Sequence, residues 1–138
     1  MRRLSAALLA LAALPAAALG EAVLEVEIEC LRSAEGKVRL ALFDSSQTHL
    51  ETAVRSGVIG IGEDETVWRV AKLTAGDYSL AVYHDRNDNG RLDRGFLGLP
   101  TEPYAFSNGL RARFGPPSWD PARFPVEQPV TRISLCVK

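Results

Sequence analysis

The chain is poor in the residues that most often carry metal and redox chemistry: its 138 residues hold two cysteines, two histidines and one methionine. Two cysteines with no histidine beside them make no zinc constellation. Neither sign of charge dominates, with 16 basic and 17 acidic side chains, so the electrostatic footprint of a nucleic-acid binder is missing. There is no Gly-x-Ser-x-Gly elbow of the kind that exposes a hydrolase nucleophile. No internal repeat or low-complexity linker occurs. The composition is otherwise ordinary, with 46% apolar residues, as expected of a folded soluble domain rather than a disordered or collagenous chain.

The longest uncharged run stands at the N-terminus. Arg2 and Arg3 precede Leu4 to Gly20, a stretch rich in Leu and Ala and free of charge until Glu21. This is the pattern of a secretory signal peptide. Ala18 and Gly20 supply small residues at −3 and −1, so residues 1–20 are expected to be removed and residues 21–138 to form one domain. Seventeen uncharged residues interrupted by Pro15 fall short of the ~20 apolar residues of a spanning helix. The expected product is periplasmic or extracellular and free of the membrane after cleavage. Losing the two arginines leaves 14 basic against 17 acidic side chains, a mild net charge of −3.

Beyond the leader the hydrophobic period is two. Leu24, Val26 and Ile28 alternate with Glu25, Glu27 and Glu29, and Val38, Leu40 and Leu42 alternate with Lys37, Arg39 and Ala41. Ser33 to Gly36 reads as the turn of a first hairpin. Thr66–Val70, Tyr78–His84 and Val130–Val137 continue the pattern, and His49 to Arg55 is either a short helix or an irregular crossing. Five or more short strands with frequent turns predict an all-β fold, an antiparallel sandwich or barrel. Export permits a disulfide between Cys30 and Cys136. Strict alternation, however, puts Cys30 on the face of Leu24, Val26 and Ile28, and Cys136 on the face opposite Ile133 and Leu135. Bridge and free thiols both stay open.

The stretch from Arg94 to Pro129 is crowded with proline and carries Phe96, Tyr104, Phe106, Phe114, Trp119 and Phe124. A structureless loop of that length is uncommon in a compact domain. Its aromatics either fold back as a small core or line a cleft, in which case Tyr104, Phe106, Asn108 and Trp119 are the candidate ligand contacts.

One segment carries ion chemistry. Asp85, Asn87, Asn89 and Asp93 place oxygen side chains at positions 1, 3, 5 and 9 of a loop with Gly90 at position 6, which is most of an EF-hand-type Ca²⁺ loop. Arg91 would offer its carbonyl oxygen. Position 12 is Phe96 instead of a bidentate glutamate, so Glu102 is the candidate for the missing oxygen, and weak affinity of about 10⁻⁴–10⁻³ M is expected. The competing expectation is a metal-free turn, because Asn-Gly favours a type I′ hairpin and Asx side chains cap their own backbone.

The runs LTAGDYSLAVYHDRNDNGRLD, GFLGLPTEPYAFSN and PPSWDPARF together resemble the bacterial domain-of-unknown-function family twenty-one forty-one, over Leu24 to Val137. The resemblance implies an exported sandwich of the transthyretin (prealbumin), Ig-like type, with about seven strands, one long aromatic and proline-rich loop, and no assigned activity. The family pattern falls on Gly76, Tyr78, His84, Asp85, Asn87, Asn89, Gly90, Asp93, Gly98, Pro100, Glu102, Tyr104, Phe106, Ser107 and Asn108. Ala105 stands where members often have glycine, and Arg86 where an acid is common. The Tyr-Arg-Gly-Ser ending of transthyretin-related hydrolases is missing, so only the fold carries over.

The expected function is that of an exported binding or structural module. Its 85–93 loop, with or without Ca²⁺, orders the aromatic segment for contact with a protein, peptide or glycan partner. The alternative is a small periplasmic hydrolase using His84 with Asp85 and Ser107.

Overall fold

The alternating run after Glu21 folds as strand β1 (Ala22–Glu29), with Ala22, Leu24, Val26 and Ile28 buried and the residues between them turned outward. The computed structural model describes residues 20–62 and 66–138 and adds seven strands to it. These are β2 (Lys37–Phe43), β3 (Arg55–Gly60), β4 (Thr66–Leu73), β5 (Gly76–Asp85), β6 (Tyr104–Phe106), β7 (Phe124–Val126) and β8 (Val130–Cys136). A single helical turn, α1 (Trp119–Ala122), precedes β7. The expected leader lies outside the described residues apart from Gly20. Among the described residues no helix is long and apolar enough to cross a membrane.

Two sheets share one core. The first has the order β4-β1-β8 and the second β3-β2-β5-β6, with β7 added to the start of β5 at Gly76–Tyr78. Val26, Trp68, Val70 and Leu135 of the first sheet meet Leu40, Leu42, Leu80 and Val82 of the second. This is the all-β sandwich that the period-two pattern predicts, with eight described strands instead of about seven. The pairing is antiparallel except between β1 and β8, which run parallel from Val23↔Val130 to Glu29↔Cys136.

One local expectation changes, an open one is resolved and one strand is added. β1 and β2 do not form a hairpin. Both edges of β1 are taken by β4 and β8, and the chain crosses between sheets through Leu31–Gly36. Alternation shows that a strand buries one face, but it does not say which strand lies beside it. Residues 45–52 cross irregularly through hydrogen-bonded turns, such as Thr52 N–H to Thr48 O at 2.9 Å. β3 gave no sequence signal because Gly57 and Gly60 interrupt it and Val58 points to solvent.

Gly57 has a packing reason. A Cβ at this position would lie 2.3 Å from Nε1 of Trp68, so the bare backbone of β3 makes room for the indole. Gly57→Ala is expected to destabilise by about 1–3 kcal/mol through overpacking, read as a lower urea midpoint. An unchanged midpoint would show that the Trp68 ring moves away at no cost.

The cysteines are bridged, with Cα atoms 5.0 Å apart. The parity argument against the bridge fails because Cys30 lies one residue beyond β1, with φ of 65°, where strand alternation has ended. The backbone reversal turns its side chain toward Cys136, whose strand neighbour is Glu29.

The segment from Arg94 to Pro129 both packs and protrudes. Ala105, Ala122, Phe124 and Val126 are buried, whereas Phe96, Leu97, Leu99 and Phe114 stand in solvent.

Candidate functional site

Alternation along β5 turns Leu80, Val82 and His84 into the sandwich and Ala81, Tyr83 and Asp85 onto the outer face of the second sheet. β6 lays Phe106 beside Ala81 and Tyr104 beside Tyr83, which makes that face aromatic. The Tyr104 and Phe106 rings meet edge to face at 5.7 Å, and the Arg111 guanidinium lies 4.3 Å above the Tyr104 ring centre. Burial pushes the Tyr83 hydroxyl above the usual phenol range, with Arg39 opposing.

Two loops rise over this face, Leu92–Pro100 and Ala112–Pro116. Together they enclose a groove of about 470 Å³, walled by Leu97, Leu99 and Phe114 and floored by Tyr83, Tyr104 and Phe106. Arg94 and Arg113 stand at its margin, and among the described residues no acidic side chain lines it. Arg94 also fastens its own loop by donating to Gly98 O at 2.9 Å.

The loop between Asp85 and Asp93 holds one wall of the groove in place. Asp85 is completely buried. One of its oxygens accepts from Arg39 Nε and from Gly90 N–H at 2.9 Å, and the other accepts from Asn89 N–H at 3.1 Å. Burial alone would raise the Asp85 carboxyl, but the Arg39 guanidinium and the two N–H groups outweigh it and hold the acid below its ordinary value. Asp88 adds a second tie to Arg39 at 2.9 Å and one to Lys37 at 3.1 Å. Buried Glu102 clasps both ends of the loop, accepting from Arg86 N–H at 2.9 Å and Asp93 N–H at 3.1 Å. Asp93, lowered chiefly by the Asn89 and Asn87 amides, accepts from both at 2.8 Å and 2.6 Å. The chain therefore leaves the loop at a defined point, just where Leu92 and Arg94 join the groove.

The six expected metal-site residues lie on this loop and its clasp, and the side-chain oxygens of Asp85, Asn87, Asn89, Asp93 and Glu102 already accept hydrogen bonds. Asn87 and Asn89 turn their carbonyl oxygens to the backbone N–H groups of Asn89 and Arg91, at 3.3 and 3.1 Å. Arg91 points outward beside Asp93 at 3.6 Å. The guanidinium of Arg39 occupies the cationic position against Asp85. Among the described residues no three His, Cys, Asp or Glu side chains converge as a ligand group.

Of the four expected ligand contacts, Tyr104 and Phe106 line the groove. Asn108 instead donates to Pro121 O at 2.8 Å and Arg123 O at 2.9 Å, and so ties α1 to the turn after β6. Trp119 packs edge-on against His49, 5.9 Å away. His49, which is not among the expected contacts, binds Ser79 Oγ at 2.7 Å and Pro117 O at 2.8 Å. A carbonyl only accepts, so Nε2 carries the proton and Nδ1 accepts from the serine. His49 thus pins the proline-rich segment to the sheet.

His84, Asp85 and Ser107 do not assemble. His84 and Asp85 project to opposite faces of β5, and His84 Nε2 donates to Glu35 O at 2.6 Å. Ser107 is buried, donating to Ala122 O at 2.6 Å and accepting from Leu80 N–H at 3.0 Å. Arg39, which sequence reasoning missed as a site residue, left no local signal: its role follows from the pairing of β2 with β5, which brings it diagonally across from Asp85.

The family described as "Uncharacterized protein conserved in bacteria (DUF2141)" matches residues 26–134, well over half of the chain. No curated protein and no solved structure matches it.

Proposed function

The chain belongs to this bacterial family of uncharacterised proteins, and we propose that it is an exported binding module whose outer-face groove takes an apolar, acidic peptide segment of another protein. The observation that carries this reading is the groove itself. Exposed Leu97, Leu99 and Phe114 surround an aromatic floor, and the charges at its margin are those of Arg94 and Arg113. A contiguous apolar patch with a polar rim is a common mark of an interaction surface. The one-sided charge favours a partner bearing carboxylates. The aliphatic walls favour side chains of a peptide over the hydroxyl-rich faces of a glycan. The 85–93 loop and its Glu102 clasp support the wall before any partner arrives, which lowers the ordering cost of binding. Export is supported by the signal-like N-terminus and by the Cys30–Cys136 bridge.

Fluorescence polarisation with a labelled peptide of alternating Glu and Phe or Leu tests the reading, with a Lys-for-Glu peptide and a Gly-Ser-Glu peptide as controls. Wild type is expected to bind the first alone. Phe114→Ser is expected to weaken binding at least about tenfold, the scale of an aromatic anchor, and to leave the melting temperature unchanged because the ring is fully exposed. Equal binding of all three peptides, or no effect of Phe114→Ser, would overturn it.

The oxygen spacing at Asp85, Asn87, Asn89 and Asp93 supports a second reading, in which weak Ca²⁺ binding replaces some of the loop's internal hydrogen bonds and stiffens the same wall. Thermal unfolding in EDTA and in about 10 mM Ca²⁺ or Mg²⁺ separates the two states. A Ca²⁺-selective rise of about 5–10 °C supports the metal. An unchanged melting temperature assigns the loop to the Arg39-held turn.

A further inference from the structure

We propose that a second cavity, beside the Cys30–Cys136 bridge, binds a small organic anion: a carboxylate or phosphate carried on an apolar body. The cavity measures about 510 Å³ and shares no lining residue with the groove. The disulfide builds one side of it. Arg32 and Ser33 follow Cys30, Val137 and Lys138 follow Cys136, and the bridge lays the two segments side by side, helped by Val137 N–H donating to Glu29 O at 3.0 Å. His84 closes the inner end and is held there by its bond to Glu35 O. Arg86 and Arg111 complete the wall.

The charged side chains of this cavity are of one sign. Arg32, Arg86, Arg111 and Lys138 all line it, and among the described residues none of them pairs with a side-chain carboxylate. Elsewhere on the surface, arginines such as Arg69, Arg123 and Arg132 do find acidic partners. Arg86 is instead steadied by the backbone carbonyl of Thr101 at 3.3 Å, and Arg111 donates to Tyr104 O at 2.8 Å and to Lys138 O at 2.7 Å. The bond to Thr101 orients the Arg86 guanidinium without neutralising it. A cleft lined by one sign of charge concentrates counter-ions, and the guanidinium fork matches carboxylate and phosphate oxygens. The Ser33 hydroxyl accepts from Glu35 N–H at 3.0 Å, which leaves its own proton to donate. Val137 and Pro103 supply an apolar surface against which inorganic anions gain nothing and an organic body gains burial.

Isothermal titration of the disulfide-bonded protein with 2-naphthoate, 1-naphthyl phosphate, neutral 2-naphthamide and inorganic phosphate tests this. At least one of the two aryl anions is expected to bind saturably at one site, and the tighter of them names the headgroup. The amide and inorganic phosphate are each expected to bind at least about tenfold more weakly than that anion, the scale of a lost charged hydrogen bond or a lost apolar contact. The double variant Arg32→Gln/Arg86→Gln is expected to lose at least about tenfold in affinity with an unchanged melting temperature, because both side chains are exposed. Phe114→Ser reports on the groove and is expected to bind the anion as wild type does. Equal binding of the amide, wild-type affinity in the arginine variant, loss of binding in Phe114→Ser, or no saturable binding of either aryl anion would each overturn the proposal.

Discussion

Asp85→Ala is expected to lower the melting temperature by about 10–15 °C, corresponding to about 3 kcal/mol in a domain of this size. The carboxylate is fully buried and accepts three hydrogen bonds, one from a guanidinium and two from the N–H groups of Asn89 and Gly90. Alanine leaves all three donors without a partner, and the loop that fixes Leu92 and Arg94 loses its anchor. Asp85→Asn retains an acceptor for the N–H groups while losing the ion pair, so its effect should be intermediate.

Acid should reproduce the loss. The folded-state carboxyl is held below its ordinary value of 3.8, so the unfolded chain takes up the proton first as pH falls. The stabilisation is complete above the unfolded value and disappears as pH falls through the lower folded one. The gap in urea midpoint between wild type and Asp85→Ala should therefore be constant near neutrality and narrow below about pH 4. A gap that does not narrow at all between about pH 4 and about pH 2 would show that Asp85 acts through its shape and not through its charge.

Removing the disulfide should have the larger effect. The bridge joins residues 106 positions apart and so closes most of the described chain into a loop. Chain entropy assigns such a cross-link about 4–5 kcal/mol, against total stabilities of about 5–15 kcal/mol for ordinary domains. Cys30→Ser/Cys136→Ser is expected to melt about 15–20 °C below wild type, and dithiothreitol should bring wild type down to the same temperature without affecting the variant. A difference under about 5 °C would mean that the parallel β1–β8 pairing survives without its clamp. Because the bridge also aligns Arg32 with Lys138, the reduced protein is expected to lose the anion cavity at temperatures where the sandwich itself still holds.

Most of the architecture was legible in the chain. β1, β2, β4, β5 and β8 announce themselves because a half-buried strand must place apolar side chains on every second residue. β3 did not, since its glycine accommodates an indole from another strand, and β6 and β7 are three residues each, too short to show a period. The residue chemistry of the site was also partly visible: the Asp85 loop, Glu102, Tyr104 and Phe106 can all be picked out by type and spacing.

Composition and period alone decide that this chain is a β-sandwich with an oxygen-rich turn and an aromatic segment, because those are properties of consecutive residues. Tertiary pairing decides the rest. Arg39 reaches Asp85 only because β2 lies against β5, and Cys30 meets Cys136 only because β8 runs parallel to β1 and the chain reverses just after it. Trp119 and Asn108 leave the groove for the loop's own interior because His49 and the carbonyls around α1 satisfy them there. Contacts between distant segments depend on which strand edges are free and which donors remain unpaired, and these are settled only when the two sheets close on each other.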